Sequence, residues 1–307
     1  MQVKTLSTSR YNSTNATGSV VISGTQKAIF GYGYNGSAYV SATNLVSNTG
    51  VVTNDVTGVG TGRYWPAATG YATDKAIFGY GNTGLNVSMT NLVSNTGVVA
   101  TDTTGVGTVR YGLAAARYGT DKAIFGYGSA STYASMTNLV SNTGVVATDT
   151  TGVGTARYGL AAAGYGTDKA IFGYGNTGAY VSITNLVSNT GVVTNDVTGV
   201  GTARFSLAAA GYGGDKAIFG YGDNGSNLSM TNLVSNTGAV VTDTTGVGTA
   251  RYGLAAAGYG SDKAIFGYGF TTLSMTNLVS NTGVVATDTT GVGTGRYTLA
   301  AAGYSTT

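Results

Sequence analysis

The sequence contains no cysteine, no histidine and no glutamate, and it has a single proline among its 307 residues. Without Cys or His the chain can build neither a zinc site of the usual kind, nor a thiol nucleophile, nor a Ser–His–Asp triad. All 12 acidic groups are Asp, so only Asp pairs could act as paired carboxylates. We therefore expect a protein that is not an enzyme, with no metal site and no cofactor.

Long apolar runs and charge clusters are also missing. No run of 18 apolar residues occurs, so we expect no membrane insertion. The first 15 residues lack the apolar centre of a signal peptide. The net charge is only +3, and the basic residues are spread evenly along the chain. This distribution predicts no nucleic-acid partner.

What the chain does contain is a repeat, rich in Gly (51) and Tyr (22). The block KAIFGYG occurs six times, and TNLVSNTG follows it each time. Successive copies begin 47 or 48 residues apart, which is the length of one blade of a β-propeller. The six blocks begin at Lys27, Lys75, Lys122, Lys169, Lys216 and Lys263.

Each unit predicts four short strands, because Val, Thr, Tyr, Gly and Asn dominate its composition. In the fourth unit these are strand a (160–166), strand b (169–175), strand c (181–188) and strand d (192–198). Strand a is built of small residues, as expected where six copies converge on an axis. The prediction is an all-β fold, in which residues 1–307 form a single six-bladed β-propeller of four-stranded antiparallel blades.

The two ends of the chain differ from the regular units. Residues 1–26 form a divergent N-terminal segment, in which SVVIS (Ser19–Ser23) predicts a strand. Residues 297–307 repeat strand a at the C-terminus. A propeller must close, because an open last blade would leave a buried face in water. We therefore predict that the C-terminal strand enters the first unit and pairs with Lys27–Gly33.

The pattern R-YGLAAAGYG-TDKAIFGYG…TNLVSNTGVV…TAR resembles the kelch repeat. It shares an Arg before strand a, small residues within strand a and an aromatic–glycine end of strand b. It is more closely similar to the kelch-like repeats of phage and phage-derived proteins, which are often tail or virion appendages. The resemblance covers nearly the whole chain and implies a kelch-like propeller.

This resemblance implies a non-enzymatic structural or binding module, part of a phage-like virion appendage or tail fibre that recognises a surface glycan. Its partners would be a surface polysaccharide or other virion proteins, and its location the virion or the extracellular space. A soluble lectin or a protein-interaction scaffold remains the alternative, with a cytoplasmic location. Homo-oligomerisation also remains open.

The loops between strands b and c are the first candidate site, because they differ most among the units. Their Asn, Asp and Tyr side chains suit sugar hydroxyls and apolar sugar faces. The alternative is that folding places few constraints on these loops. The candidate ligand-binding residues are Tyr39, Asn82, Tyr133, Asn176, Tyr180, Asp223, Asn224 and Phe270.

One Arg closes each unit and predicts a ring on the same face as these loops. Six guanidinium groups could bind an anion, or they could pair with the strand d Asp residues and join the blades. Both roles remain open. The ring consists of Arg63, Arg110, Arg157, Arg204, Arg251 and Arg296, and the Asp residues are Asp55, Asp102, Asp149, Asp196, Asp243 and Asp288. Asp-Lys pairs in the a–b turns predict a solvated opposite face.

Overall fold

The computed structural model describes residues 25–305, and this range consists of 18 β-strands joined by turns and loops. The all-β prediction is confirmed, because no helix occurs within the range. It follows that the described residues include no helix able to cross a membrane. The strand predicted at Ser19–Ser23 lies outside the described residues.

The strands fall into three sets that differ in their position within a sheet. The inner strands are β3 (Ala67–Tyr71), β6 (Ala114–Tyr118), β9 (Ala161–Tyr165), β12 (Ala208–Tyr212), β15 (Ala255–Tyr259) and β18 (Ala300–Tyr304). The middle strands are β1 (Lys27–Gly31), β4 (Lys75–Asn82), β7 (Lys122–Gly126), β10 (Lys169–Asn176), β13 (Lys216–Asp223) and β16 (Lys263–Gly269). The outer strands are β2 (Thr43–Val46), β5 (Asn86–Val93), β8 (Thr137–Val140), β11 (Tyr180–Val187), β14 (Asn227–Val234) and β17 (Leu273–Val279).

An inner, a middle and an outer strand together form one three-stranded antiparallel sheet, and the described residues form six such sheets. Five of them use consecutive strands. The sixth has the order β18-β1-β2, so that the last strand of the chain lies beside the first. Its register runs from Lys27 opposite Tyr304 to Gly31 opposite Ala300.

Neighbouring inner strands pack against one another in a cycle, β3 to β6 and so on to β18, which packs against β3 again. This arrangement is consistent with a repeat β-propeller. The middle strands are buried on both faces, since Ile171 and Phe172 are both fully inaccessible. Alternation of polar and apolar residues is therefore not required in these strands.

A glycine of each middle strand makes room for the Phe of the next sheet. A Cβ atom on Gly173 would lie 2.8 Å from Cζ of Phe219, which is closer than real Cβ contacts. The same relationship joins Gly31 to Phe78 at 2.9 Å. Gly is thus required here by the close packing of sheets rather than by backbone conformation.

The motif Gly-Tyr-Gly forms a β-bulge near the end of four middle strands, which are β4, β10, β13 and β16. Tyr174 has a φ of 64°, and the register shifts between Gly173 and Gly175. The bulge turns the Tyr174 side chain into the core, where its hydroxyl donates to the carbonyl of Val200 at 3.0 Å. Equivalent buried tyrosines occur in all six sheets.

The predicted fourth strand of each unit is not a regular strand among the described residues. Residues 192–198 make only two isolated bridges to β11, at Val193 and Val197. Between these bridges the carbonyl of Thr194 accepts a bond from the Asn185 side chain instead of from a backbone N–H. The buried Asn thus interrupts the ladder, and the structure has three regular strands per sheet where the sequence predicted four.

Candidate functional site

Two kinds of loop meet at one end of the ring of sheets. In five of the six units, the aromatic residue that follows the ring Arg forms an isolated bridge with the end of the middle strand or with the loop that follows it. In the remaining unit, the backbone N–H of Phe270 donates to the carbonyl of Tyr252. This pairing places the loops between sheets beside the variable b–c loops, as the sequence suggested. Four such bridges are Tyr64–Asn82, Tyr111–Ser129, Tyr158–Asn176 and Phe205–Asp223.

Six aromatic side chains at this end form a circle, called here the inner aromatic ring. It consists of Tyr64, Tyr111, Tyr158, Phe205, Tyr252 and Tyr297. From Tyr64 to Tyr252, neighbouring ring centroids lie 6.3, 6.2, 6.1 and 6.4 Å apart. Phe270 connects Tyr252 to Tyr297, and Tyr34 with Tyr39 connects Tyr297 back to Tyr64. All six members are partly exposed.

The four aromatic residues that the sequence predicted in the b–c loops stack on this ring. Tyr39 stacks on Tyr64 at 4.9 Å, and Tyr133 stacks on Tyr158 at 5.0 Å. Tyr180 lies on Phe205 at 5.4 Å and Phe270 lies on Tyr252 at 4.7 Å, again with nearly parallel planes. The three tyrosines are 36–40% exposed, so their outer faces contact solvent. We call the inner ring and these four residues, together with Trp65, the aromatic face.

Trp65 lies at the centre of the aromatic face. It has a φ of 53° at a position where the other units carry Gly112, Gly159, Ser206, Gly253 and Thr298. Its ring lies 5.5 Å from both Tyr111 and Tyr158. A depression of about 70 Å³ beside Trp65 is lined by Pro66, which precedes β3, and by the leucines that precede the other five inner strands. The indole thus covers part of the central opening.

The predicted polar residues stand at the edge of this face and also shape its loops. Oδ1 of Asn82 and of Asn176 accepts a bond from the backbone N–H two residues later, at 2.7 Å. Asp223 accepts in the same way at 3.0 Å, and it also accepts the Tyr180 hydroxyl at 3.4 Å. Asn224 accepts from the backbone of Ser226 at 3.3 Å. These side chains both close the turns and present polar atoms beside aromatic rings.

The ring of arginines lies beneath the aromatic face and is fully buried. In Arg157, Nε donates to the carbonyl of Tyr174 at 2.8 Å and the two terminal nitrogens donate to Thr155 O and Asn185 Oδ1. The guanidinium also lies 4.3 Å from the centre of the Tyr127 ring. These donors are directed at protein groups, so the geometry supports the structural role and gives no surface for anion binding.

Each ring Arg pairs with the Asp of the following unit, not with the Asp of its own. Arg157 lies 3.9 Å from Asp196, and Arg296 lies 3.5 Å from Asp55 at the closure of the cycle. Desolvation opposes ionisation of Asp196. Hydrogen bonds from Thr155 and Asn185, with the charge of Arg157, outweigh it and lower the pKa of the carboxyl. These carboxylates therefore remain charged in the folded protein at neutral pH.

The Asp-Lys pairs lie in the turns between inner and middle strands. Lys169 Nζ is 3.0 Å from Asp168, and the Lys side chain is about half exposed. Such exposed pairs stabilise a fold little. The sequence 223–225 resembles a fragment of a calcium loop without its other ligands, and the described residues hold no group of three acids that could bind a metal.

Sequence reasoning missed the inner aromatic ring, Trp65 and a third feature, Arg117. The signal for the ring was present, because an aromatic residue follows the closing Arg in every unit. Inner strands were expected to be uniformly small, yet Arg117 lies within β6.

Comparison with known proteins does not assign the chain to a family: no family model matches it, and no curated protein matches it either. The kelch-like pattern therefore stands as a resemblance carried by the quoted residues. The function must be argued from the geometry of the aromatic face.

Proposed function

We propose that this chain is a non-enzymatic binding module whose aromatic face recognises a surface glycan, as part of a phage-like virion appendage or tail fibre. The single observation that supports this proposal is the continuous aromatic face. Aromatic rings cover the apolar faces of sugars, while amide and carboxylate groups at the edge bond their hydroxyls.

The repetition of the face suits a polymer better than a single sugar. Tyr39, Tyr133 and Tyr180 each present an exposed ring that is already held by a parallel partner. Such preorganised rings lose little conformational freedom on binding. Weak contacts at several of these rings to one polysaccharide reinforce one another through effective concentration.

We further propose that the six sheets form one six-bladed, kelch-like propeller. The irregular segment after each outer strand would complete the blade as a fourth, poorly paired strand. The cycle of inner strands and the pairing of β18 with β1 support this architecture.

A glycan array probed with the purified full-length chain tests the proposal. We expect binding to one class of bacterial or cell-surface polysaccharide, and we expect Tyr133→Ala combined with Tyr180→Ala to reduce it at least tenfold. The control is Lys169→Ala combined with Lys216→Ala, which changes the opposite end. Absence of any glycan signal, or a signal unaffected by the tyrosine changes, would contradict the proposal.

A protein-interaction scaffold is the second candidate, and exposed valines favour it. The residue after the Asn-Thr-Gly turn is Val in five units, and each of these valines is 63–66% exposed: Val51, Val98, Val145, Val192 and Val284. Such apolar residues beside irregular outer segments could contact other virion proteins or a second copy. Sedimentation analysis of the parent chain and of a variant with Asn at these positions measures self-association.

A further inference from the structure

Arg117 occupies a position at which every other inner strand carries glycine. The equivalent residues are Gly70, Gly164, Gly211, Gly258 and Gly303. Glycine suits the position because the neighbouring inner strand is close: a Cβ atom on Gly164 would lie 3.3 Å from the Arg117 carbonyl oxygen. Folding therefore favours Gly at this position, and the presence of a large cationic side chain in one of the six strands suggests a functional role for Arg117.

Arg117 lines a cavity of about 200 Å³ inside the cycle of inner strands. The cavity lies towards the a–b turns, because Thr167, Asp215 and Ser261 also line it, and it is separate from the depression beside Trp65. Four cations but one carboxylate line this cavity: Arg117, Lys169, Lys216 and Lys263, with Asp215. The lining therefore carries an excess of positive charge.

Arg117 differs from these lysines and from the ring arginines in its partners. Each of the three lysines lies 3.0–3.1 Å from the Asp that precedes it. Arg117 donates to the carbonyl of Thr120 in its own turn, and no carboxylate of the described residues comes within 4.0 Å of it. Asp121 and Asp74 are the acidic groups that influence it from a greater distance.

Burial lowers the pKa of Arg117, and the charges of Asp121 and Asp74 partly offset this effect. An arginine keeps its proton even in such surroundings. The cavity thus holds a permanent, partly desolvated charge that has a neutral acceptor but no paired anion. A partly buried guanidinium is a strong site for a planar or tetrahedral oxyanion, which it can bind through two parallel N–H donors.

We propose that Arg117 and the surrounding cavity bind a small oxyanion, either a carboxylate or a phosphate group. Thr167 and Ser261 line the same cavity, and their hydroxyl groups are further hydrogen-bond donors for such an anion. The site lies away from the aromatic face, so the proposal does not depend on glycan recognition.

Isothermal titration of the full-length chain with sodium phosphate and, separately, with sodium acetate tests this proposal at constant ionic strength. One saturable site per chain is expected for at least one of these anions, and the two titrations distinguish phosphate from carboxylate. Arg117→Gly should weaken binding at least tenfold, and Arg117→Lys should weaken it less, because it keeps the charge but loses the bidentate geometry.

Arg117→Gly restores the residue of the other five units, so it should fold, and its melting temperature provides the check. If Arg117→Gly does not fold, Arg117→Gln, whose side chain is of similar length to Arg, is used in its place. Lys75→Gln is the matched control, since Lys75 is a turn lysine that does not line the cavity, and it should leave binding unchanged. The proposal is overturned if neither anion gives saturable binding, or if the Gly and Gln variants bind as tightly as the parent.

Discussion

The guanidinium of Arg157 donates to the side-chain oxygen of Asn185 across 2.7 Å, and this bond joins two neighbouring sheets. Both side chains are fully buried. The Asn185 amide in turn donates to Asp196 at 2.9 Å, and Thr155 donates to the same carboxylate. The same arrangement occurs at all six boundaries and includes the contact between Arg296 and Asn44 that closes the cycle.

Replacing Arg157 by Met should destabilise the protein by about 3–5 kcal/mol, because the Asn185 oxygen and the carbonyls of Tyr174 and Thr155 each lose a donor and Asp196 loses its nearest cation. Urea unfolding at neutral pH measures the change. Lys169→Gln removes an exposed ion pair and should cost less than about 1 kcal/mol. Equal effects of the two changes would show that the buried bond contributes no more than a surface pair.

The C-terminal strand provides the second prediction. Deleting residues 297–307 removes β18 and leaves β1 without its inner neighbour. The apolar faces of two sheets then contact water, so the melting temperature should fall sharply. A chain without residues 1–24 keeps all 18 described strands and is the control. If the N-terminal deletion unfolds the protein and the C-terminal one does not, β18 is not the strand that closes the cycle.

The three regular strands of the fourth unit could be predicted to within about one residue, because the same local pattern occurs six times in the sequence. Strand b was predicted at 169–175 in the fourth unit, and β10 is Lys169–Asn176. Strand c was predicted at 181–188, and β11 is Tyr180–Val187. Apolar content and glycine turns determine these strands locally.

The fourth strand and the aromatic face could not be predicted in the same way, because both depend on contacts between units. The sequence of residues 192–198 favours a strand. However, the carbonyl of Thr194 in this segment accepts a hydrogen bond from the Asn185 side chain, which interrupts the backbone pairing. Tyr158 lies between two units in the sequence, and only the packing of neighbouring sheets brings it beside Tyr133. The Arg117 site was missed because the other five inner strands carry Gly at this position.

Alkaline pH should unfold the protein through the buried tyrosines of its six Gly-Tyr-Gly motifs. Burial raises the pKa of six phenols to about 12, although the adjacent guanidinium groups partly oppose this: Tyr32, Tyr80, Tyr127, Tyr174, Tyr221 and Tyr268. The folded pKa exceeds the value of about 10 in an unfolded chain. Their stabilisation is therefore complete below pH 10 and is lost as the pH rises towards 12, by up to about 3 kcal/mol for each tyrosine.

Melting temperatures between pH 8 and pH 12 measure this loss. Tyr174→Phe keeps the ring but removes the hydroxyl that donates to Val200. It should cost about 1 kcal/mol at pH 8 and reduce the fall in stability above pH 10. A melting temperature that is constant up to pH 12 would contradict the prediction.

Trp65 provides the final prediction, because it is the only tryptophan and lies at the centre of the aromatic face. Saturation with a glycan identified on the array should change its fluorescence, since the sugar alters the solvent around the indole.

Trp65→Gly restores the residue of three other units and relieves a left-handed backbone conformation, so it should fold normally. It should weaken glycan binding about tenfold, equivalent to about 1.4 kcal/mol. Val145→Asn, at an outer segment, is the control. Unchanged fluorescence together with unchanged affinity would move the binding site away from the aromatic face.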